Sequence, residues 1–143
     1  MKNSTTLIIS TLFIATFGFG QTTYVPDDNF EQALIDQGYD DVLDDYVLTV
    51  NISTVIYLNV AGYNVSDLTG IEGFTDLTNL ICYENQLTSL DVSANTALTY
   101  LAVHDNQLTS LDVSNNTALT QLYPNSNQLT TLDVSTNTAL TYL

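Results

Sequence analysis

Residues 77–97 read LTNLICYENQLTSLDVSANTA, residues 98–118 read LTYLAVHDNQLTSLDVSNNTA, and residues 119–139 read LTQLYPNSNQLTTLDVSTNTA. The three stretches superimpose without a gap, and residues 140–143 open a fourth copy. A fixed 21-residue period signals a solenoid, in which each unit buries its apolar face only by stacking on its neighbours. That architecture offers an extended surface rather than a pocket.

A second period is nested inside the first. LTNLICYENQ and LTSLDVSANTA share L-T-x-L at the start and asparagine at the ninth place, so each coil divides into 10 plus 11 residues. Leu80, Cys82, Leu87, Leu90, Val92, Ala97 and Leu98 alternate as strands facing a core do. Asn85, Asn106 and Asn127 recur at one turn and Asn95, Asn116 and Asn137 at the other, predicting two ladders that bond free backbone groups. Cys82 shares its slot with Val103 and Pro124, so it is expected to be a buried small hydrophobe rather than a reactive thiol.

Upstream the pattern loosens. Residues 55–76 keep the strand signature, with Leu58 standing 22 residues before Leu80, and form an atypical first repeat. In YVPDDNFEQALIDQGYDD, Asp28 with Glu31 makes a capping-box pattern, Phe30, Ala33 and Leu34 share a face, and Gly38 supplies a stop. A short helix over 28–37 is predicted, capping the first coil. Residues 40–54 read as a linker, with Asp40, Asp41, Asp44 and Asp45 in a solvated acidic turn whose spacing does not match an EF-hand. The organisation expected is therefore 21–54 cap and acidic linker, 55–76 first repeat, and 77–143 regular repeats.

Residues 1–20 carry Lys2, an apolar run from Leu7 to Phe19, and small residues at Gly18 and Gly20. This is the composition of a secretory signal peptide, cleaved before Gln21. The apolar run is short for a membrane span and no second one follows. An exported product that is not membrane-embedded, secreted or held at a bacterial cell surface, is expected.

Lys2 is the sole lysine or arginine, against 16 Asp and Glu. Nothing after the leader could neutralise phosphates, which excludes nucleic acid and anionic membranes as partners. Ion pairs with lysine or arginine are impossible after residue 2, so stability must come from burial and hydrogen bonds.

The motif LxxLxCxxNxLxxLDVSxN resembles the leucine-rich repeat, in the bacterial 21-residue class with nested 10/11 periodicity. YVPDDNFEQALIDQGYDD resembles the internalin-like N-terminal cap of secreted bacterial leucine-rich-repeat proteins. The resemblance implies a strand-rich, right-handed solenoid whose sheet face binds a ligand. It also implies further repeats and a surface-sorting domain, so a chain stopping at Leu143, inside a copy, is expected to be a fragment of a longer protein.

Comparison of the copies locates the freedom to vary. QLTSLDVS is nearly fixed, whereas the outward positions of the first strand change: Asn79, Ile81, Tyr83 and Glu84, then Tyr100, Ala102, His104 and Asp105, then Gln121, Tyr123, Asn125 and Ser126. Tyr57 and Tyr142 fall in the column of Tyr100. Tyrosine offers a flat apolar face with a polar tip, suited to protein contact or to stacking on sugar rings. The expected role is non-catalytic recognition or adhesion, with protein and carbohydrate both open; a spacer presenting another domain is the alternative. One histidine and one buried cysteine cannot supply nucleophile, base and orienting group, so no enzyme is expected. No cofactor is expected either. Asp91, Asp112 and Asp133 form a second column that is solvated, amide-bonded or, as the weaker alternative, calcium-bridged.

Overall fold

A computed structural model describes residues 20–143 of the chain; all but the last residue of the segment read as a signal peptide lies outside the described residues. The elements run β1 (Thr22–Tyr24), α1 (Asp28–Asp36), β2 (Tyr46–Leu48), α2 (Thr49–Ile52), β3 (Tyr57–Asn59), a 3-10 turn (Ile71–Gly73), β4 (Asn79–Ile81), β5 (Tyr100–Ala102) and β6 (Gln121–Tyr123).

Strands β3 to β6 form one parallel sheet in chain order. Leu58, Leu80, Leu101 and Leu122 are register partners and all are fully buried. The sheet thus repeats one coil at a time, as the period requires. Gln121 bridges in parallel to Tyr142, which extends the register into the fourth copy. The second half of each coil forms no strand: around Val92 and Val113 the chain is extended turn. Leu87, Val92, Leu98, Leu108, Val113 and Leu119 nevertheless point into one continuous core.

What closes those turns is asparagine. Asn85, Asn95, Asn106, Asn116 and Asn137 are buried, and each Nδ2 donates to backbone carbonyls. Asn106 Nδ2 donates to Cys82 O at 3.0 Å and Val103 O at 3.1 Å, while its Oδ1 accepts from Leu87 N at 3.0 Å. At Asn85 and Asn106 a buried amide that both donates and accepts satisfies groups that no short strand could reach, whereas Asn95, Asn116 and Asn137 only donate. The two predicted ladders are present, but not as left-handed turn residues. The left-handed backbone falls one position earlier, at Glu84, Asp105 and Ser126 with φ of 53° to 54°, and Gly62 has φ 73° at the same place in the first coil.

The cap departs from the sequence reading in three ways. The N-cap of α1 is Asp27, whose Oδ1 accepts from Asn29 N and Phe30 N, each at 3.0 Å. Glu31 makes no capping box. It is buried and its Oε1 accepts from Asp44 N at 3.0 Å and Tyr46 N at 3.1 Å, because the chain folds back across it. The stretch read as a linker carries β2, which pairs antiparallel with β1 over Thr22↔Leu48 to Tyr24↔Tyr46, and then α2.

Asp27 also joins cap to repeat. Its Oδ2 accepts from Ser66 N at 2.8 Å, Ser66 Oγ at 2.7 Å and Asp67 N at 3.0 Å. Burial pushes this carboxyl up, but the bonds from Ser66, Phe30 and Asp67 outweigh it and hold the group below its ordinary range.

Candidate functional site: the outer face of the parallel sheet

Successive residues of a strand point to opposite faces, so burying the central leucines turns the residues either side of them outward. Tyr57, Asn79, Tyr100, Gln121 and Tyr142 accordingly share one register row. Ile81, Ala102 and Tyr123 share the next. Tyr83 and His104 follow beyond the strand ends, where Glu84 N donates to His104 O at 3.2 Å and Asp105 N to Asn125 O at 3.2 Å.

The row residues differ in exposure. Tyr57 and Tyr142 are exposed, Glu84, Asp105 and Asn125 are exposed, and Asn79, Ile81, Tyr83, Tyr100, His104, Gln121 and Tyr123 are half-buried. Ala102 is buried, contrary to its expected outward place. Tyr100 is two residues back on the same face and Tyr123 is its register partner.

Those rings touch. Tyr123 sits 5.4 Å from Tyr100 and 4.9 Å from Tyr142 between ring centroids, tilted by 42° and 34°. Tyr83 stacks on His104 at 4.5 Å and 8°. Tyr123 hydroxyl and Gln121 Oε1 lie 3.1 Å apart. Burial pushes the Tyr100 phenol up, and the neighbouring Tyr123, Tyr57 and Tyr83 phenols add to this. The Tyr100, Tyr123 and Tyr142 rings therefore form one cluster across the strands.

At the rim, His104 Nδ1 lies 2.7 Å from Asp105 Oδ2. Hydrogen bonds from the His104 ring and the Ser126 hydroxyl hold the Asp105 carboxyl below its ordinary range. The pair has a base and an orienting carboxylate, but Cys82 is buried beneath the sheet, with its thiol pushed up to about 12 by burial.

The second column behaves as amide acceptors. Asp91, Asp112 and Asp133 accept from Ser93 N at 2.9 Å, Ser114 N at 2.9 Å and Ser135 N at 2.8 Å, and all three are exposed. Bonds from those serines hold each carboxyl below its ordinary range. Among the described residues, the acids that converge within a metal's reach are Asp28, Glu31 and Asp45 instead.

Sequence reasoning also missed surface on the cap. Tyr24 and Tyr46 are exposed and 5.4 Å apart on the β1–β2 ribbon, beside exposed Leu48. The alternation in TTY and YVL carries that signal, but over three residues each.

A strand-rich repeat protein is what this arrangement defines, and the chain is similar to internalins. Over 85 residues the chain is 42% identical to Internalin J of Listeria monocytogenes serotype 4b, strain F2365, spanning 57% of this chain and 9% of that protein. A solved structure described as the functional domain of InlJ from Listeria monocytogenes, including a cysteine ladder, matches with a TM-score of 0.78 and 44% identity, over 87% of this chain and 28% of that one. An internalin, InlF, from Listeria monocytogenes strain 4b F2365 matches with a TM-score of 0.70 and 25% identity, over 84% of this chain and 43% of that one. The chain thus spans less than half of each. Residues 89–122 match the LVIVD repeat family model, a stretch shorter than two coils. In this chain Cys82 has Val60, Val103 and Pro124 at its stacked positions, so no cysteine ladder runs through the described coils. No helix among the described residues is long and apolar enough to cross a membrane.

Proposed function

We propose that the chain is a non-catalytic recognition module at the bacterial surface, which binds a protein partner through the tyrosine-bearing face of its sheet. The carrying observation is that variation among otherwise fixed copies falls on outward positions, and that the rings there pack in two groups, Tyr100, Tyr123 and Tyr142 in one and Tyr83 on His104 in the other, with Tyr57 in the row of Tyr100. Clustered tyrosines are favoured at protein interfaces because a rigid amphipathic ring gives contact area at little entropic cost.

Ring packing favours protein over glycan. Stacking on a sugar needs an open ring face, whereas Tyr123 lies between two rings and Tyr83 is covered by His104. A ring packed on its neighbours offers less open face, and its hydroxyl and edge suit a mixed polar and apolar protein surface. The right-handed leucine-rich-repeat coil, the division at residues 54 and 76, and export after residue 20 belong to the same reading.

The test is a binding screen of the full chain against an array of extracellular proteins with a glycan array beside it, repeated with Tyr83/Tyr100/Tyr123→Ala. Specific protein binding lost in the variant supports the assignment. Glycan binding lost in the variant would move the ligand class, and two blank arrays would favour a spacer.

A further inference from the structure

Strand β1 clasps the cap to the first coil. Thr23 Oγ1 lies 2.9 Å from Thr49 Oγ1, and Val25 N donates to Asp45 O at 2.8 Å. On the other side two glycines let the strand sit close against the 3-10 turn. A Cβ at Gly70 would stand 2.8 Å from Tyr24 O, and one at Gly73 would stand 2.8 Å from Thr23 Oγ1. This clasp is 3 residues long and begins directly after Gln21. Chain ends are where proteolysis concentrates, so trimming a few residues from an N-terminus at Gln21 would remove β1 altogether.

Gln21 itself is exposed. Thr49 N donates to its carbonyl at 2.8 Å, which fixes the backbone at the head of the strand and leaves the side chain in solvent. Composition supplies the second observation. Lys2 is the sole lysine or arginine and lies in the leader. A chain released before Gln21 therefore carries one primary amine, the α-amine of Gln21, placed beside that residue's own carboxamide.

We propose that Gln21 is a modification site, closing to pyroglutamate as the first residue of the exported chain. The inference rests on the export reading, in which cleavage precedes Gln21. The freed α-amine attacks Cδ of the side-chain carboxamide. The new N–Cδ bond makes a lactam, the Cδ–Nε2 bond breaks, and Nε2 leaves as ammonia with the proton that the amine gives up. No oxidant, reductant or second substrate is consumed. The lactam gives a general aminopeptidase no free amine to engage, so β1 is protected from its exposed end. It also removes charge: an α-amine titrates at about 7.7–8.0 and is cationic at pH 7. Its loss leaves the exported chain without a primary amine and His104 as its only group able to turn cationic.

The experiment expresses the full chain, leader included, in an exporting bacterium. The exported product is weighed intact, then denatured and treated with a fluorescent succinimidyl ester, which reads the amines directly because Lys2 is the sole lysine. No label, and a mass one ammonia below that of Gln21–Leu143, is expected. Any fraction still carrying a free Gln21 amine should lose its label once the native protein has met a glutaminyl cyclase. Gln21→Ala, which has no carboxamide to close on, should take one label and be shortened by a broad-specificity aminopeptidase that leaves wild type intact. A Gln21 amine that persists through the cyclase overturns ring closure alone. Label on Lys2, or a product beginning anywhere but residue 21, overturns the cleavage site and the modification with it. Wild type shortened as fast as Gln21→Ala overturns the protection of β1.

Discussion

Replacing Asn106 tests how the coils are held in register beneath the candidate face. Its side chain makes four bonds: Oδ1 accepts from Leu87 N at 3.0 Å, and Nδ2 donates to Cys82 O, Val103 O and His104 O at 3.0, 3.1 and 3.3 Å. The carbonyls would keep another donor, because Asn85 also reaches Cys82 O and Asn127 also reaches Val103 O. Leu87 N would not. Asn106→Ala therefore leaves one buried amide orphaned, at about 1–3 kcal/mol, and removes bonds worth about 1 kcal/mol each. The expected loss is about 3 kcal/mol, a large part of the roughly 5–15 kcal/mol of a typical domain. Asn106→Asp is nearly isosteric and should be worse at pH 7, since its second oxygen meets three carbonyls where an amide donated. Facing those carbonyls raises its folded pKa above the unfolded value, so the stability it loses above the unfolded pKa should return as pH falls. Urea unfolding at pH 7 and pH 4.5 measures both variants. An Asn106→Asp protein as stable as Asn106→Ala at pH 7, or losses below about 1 kcal/mol for both, would refute the ladder's role.

Two further outcomes follow from the same accounting. Asp27→Asn should keep the helix cap, because asparagine caps well, but lose the bonds from Ser66 and Asp67, destabilising by about 2–4 kcal/mol at pH 7. Asp27 has a depressed folded pKa, so its contribution is present above the ordinary 3.8 and fades as pH falls through the lower folded value; the gap between wild type and variant in urea should persist at pH 7 and narrow as pH falls below 3.8. Cys82, with its thiol pushed up to about 12, should resist an aromatic disulfide reagent at pH 8 in the native chain and react fully in denaturant; stoichiometric native labelling would contradict its burial.

The repeat was legible because it rests on local pattern. Leucines at fixed spacing became register partners, and Tyr57, Tyr100 and Tyr142 share the row that the spacing implied. Helix α1 ends one residue before the expected place. What the sequence concealed depends on distant partners. Glu31 looked like a capping residue, but its donors lie 13 and 15 residues downstream. Strands β1 and β2 are too short for any period to show. Ala102 is buried although it stands in a column of outward residues, which the column itself cannot reveal. The turn asparagines were recognised, yet their depth was not: a polar residue wholly inside is legible only once the carbonyls it meets are known.

The central claim is that the tyrosine face, not the chain at large, makes the contact. One measurement tests this directly: binding of a partner found on the array to Tyr83/Tyr100/Tyr123→Ala and to Asp91/Asp112/Asp133→Asn, by surface plasmon resonance at fixed salt. Loss of about 2 kcal/mol or more, roughly 30-fold, is predicted for the tyrosine variant, as for interface anchors generally, with the aspartate variant within about twofold of wild type. Equal affinity across all three proteins, or loss confined to the aspartate variant, would contradict the account.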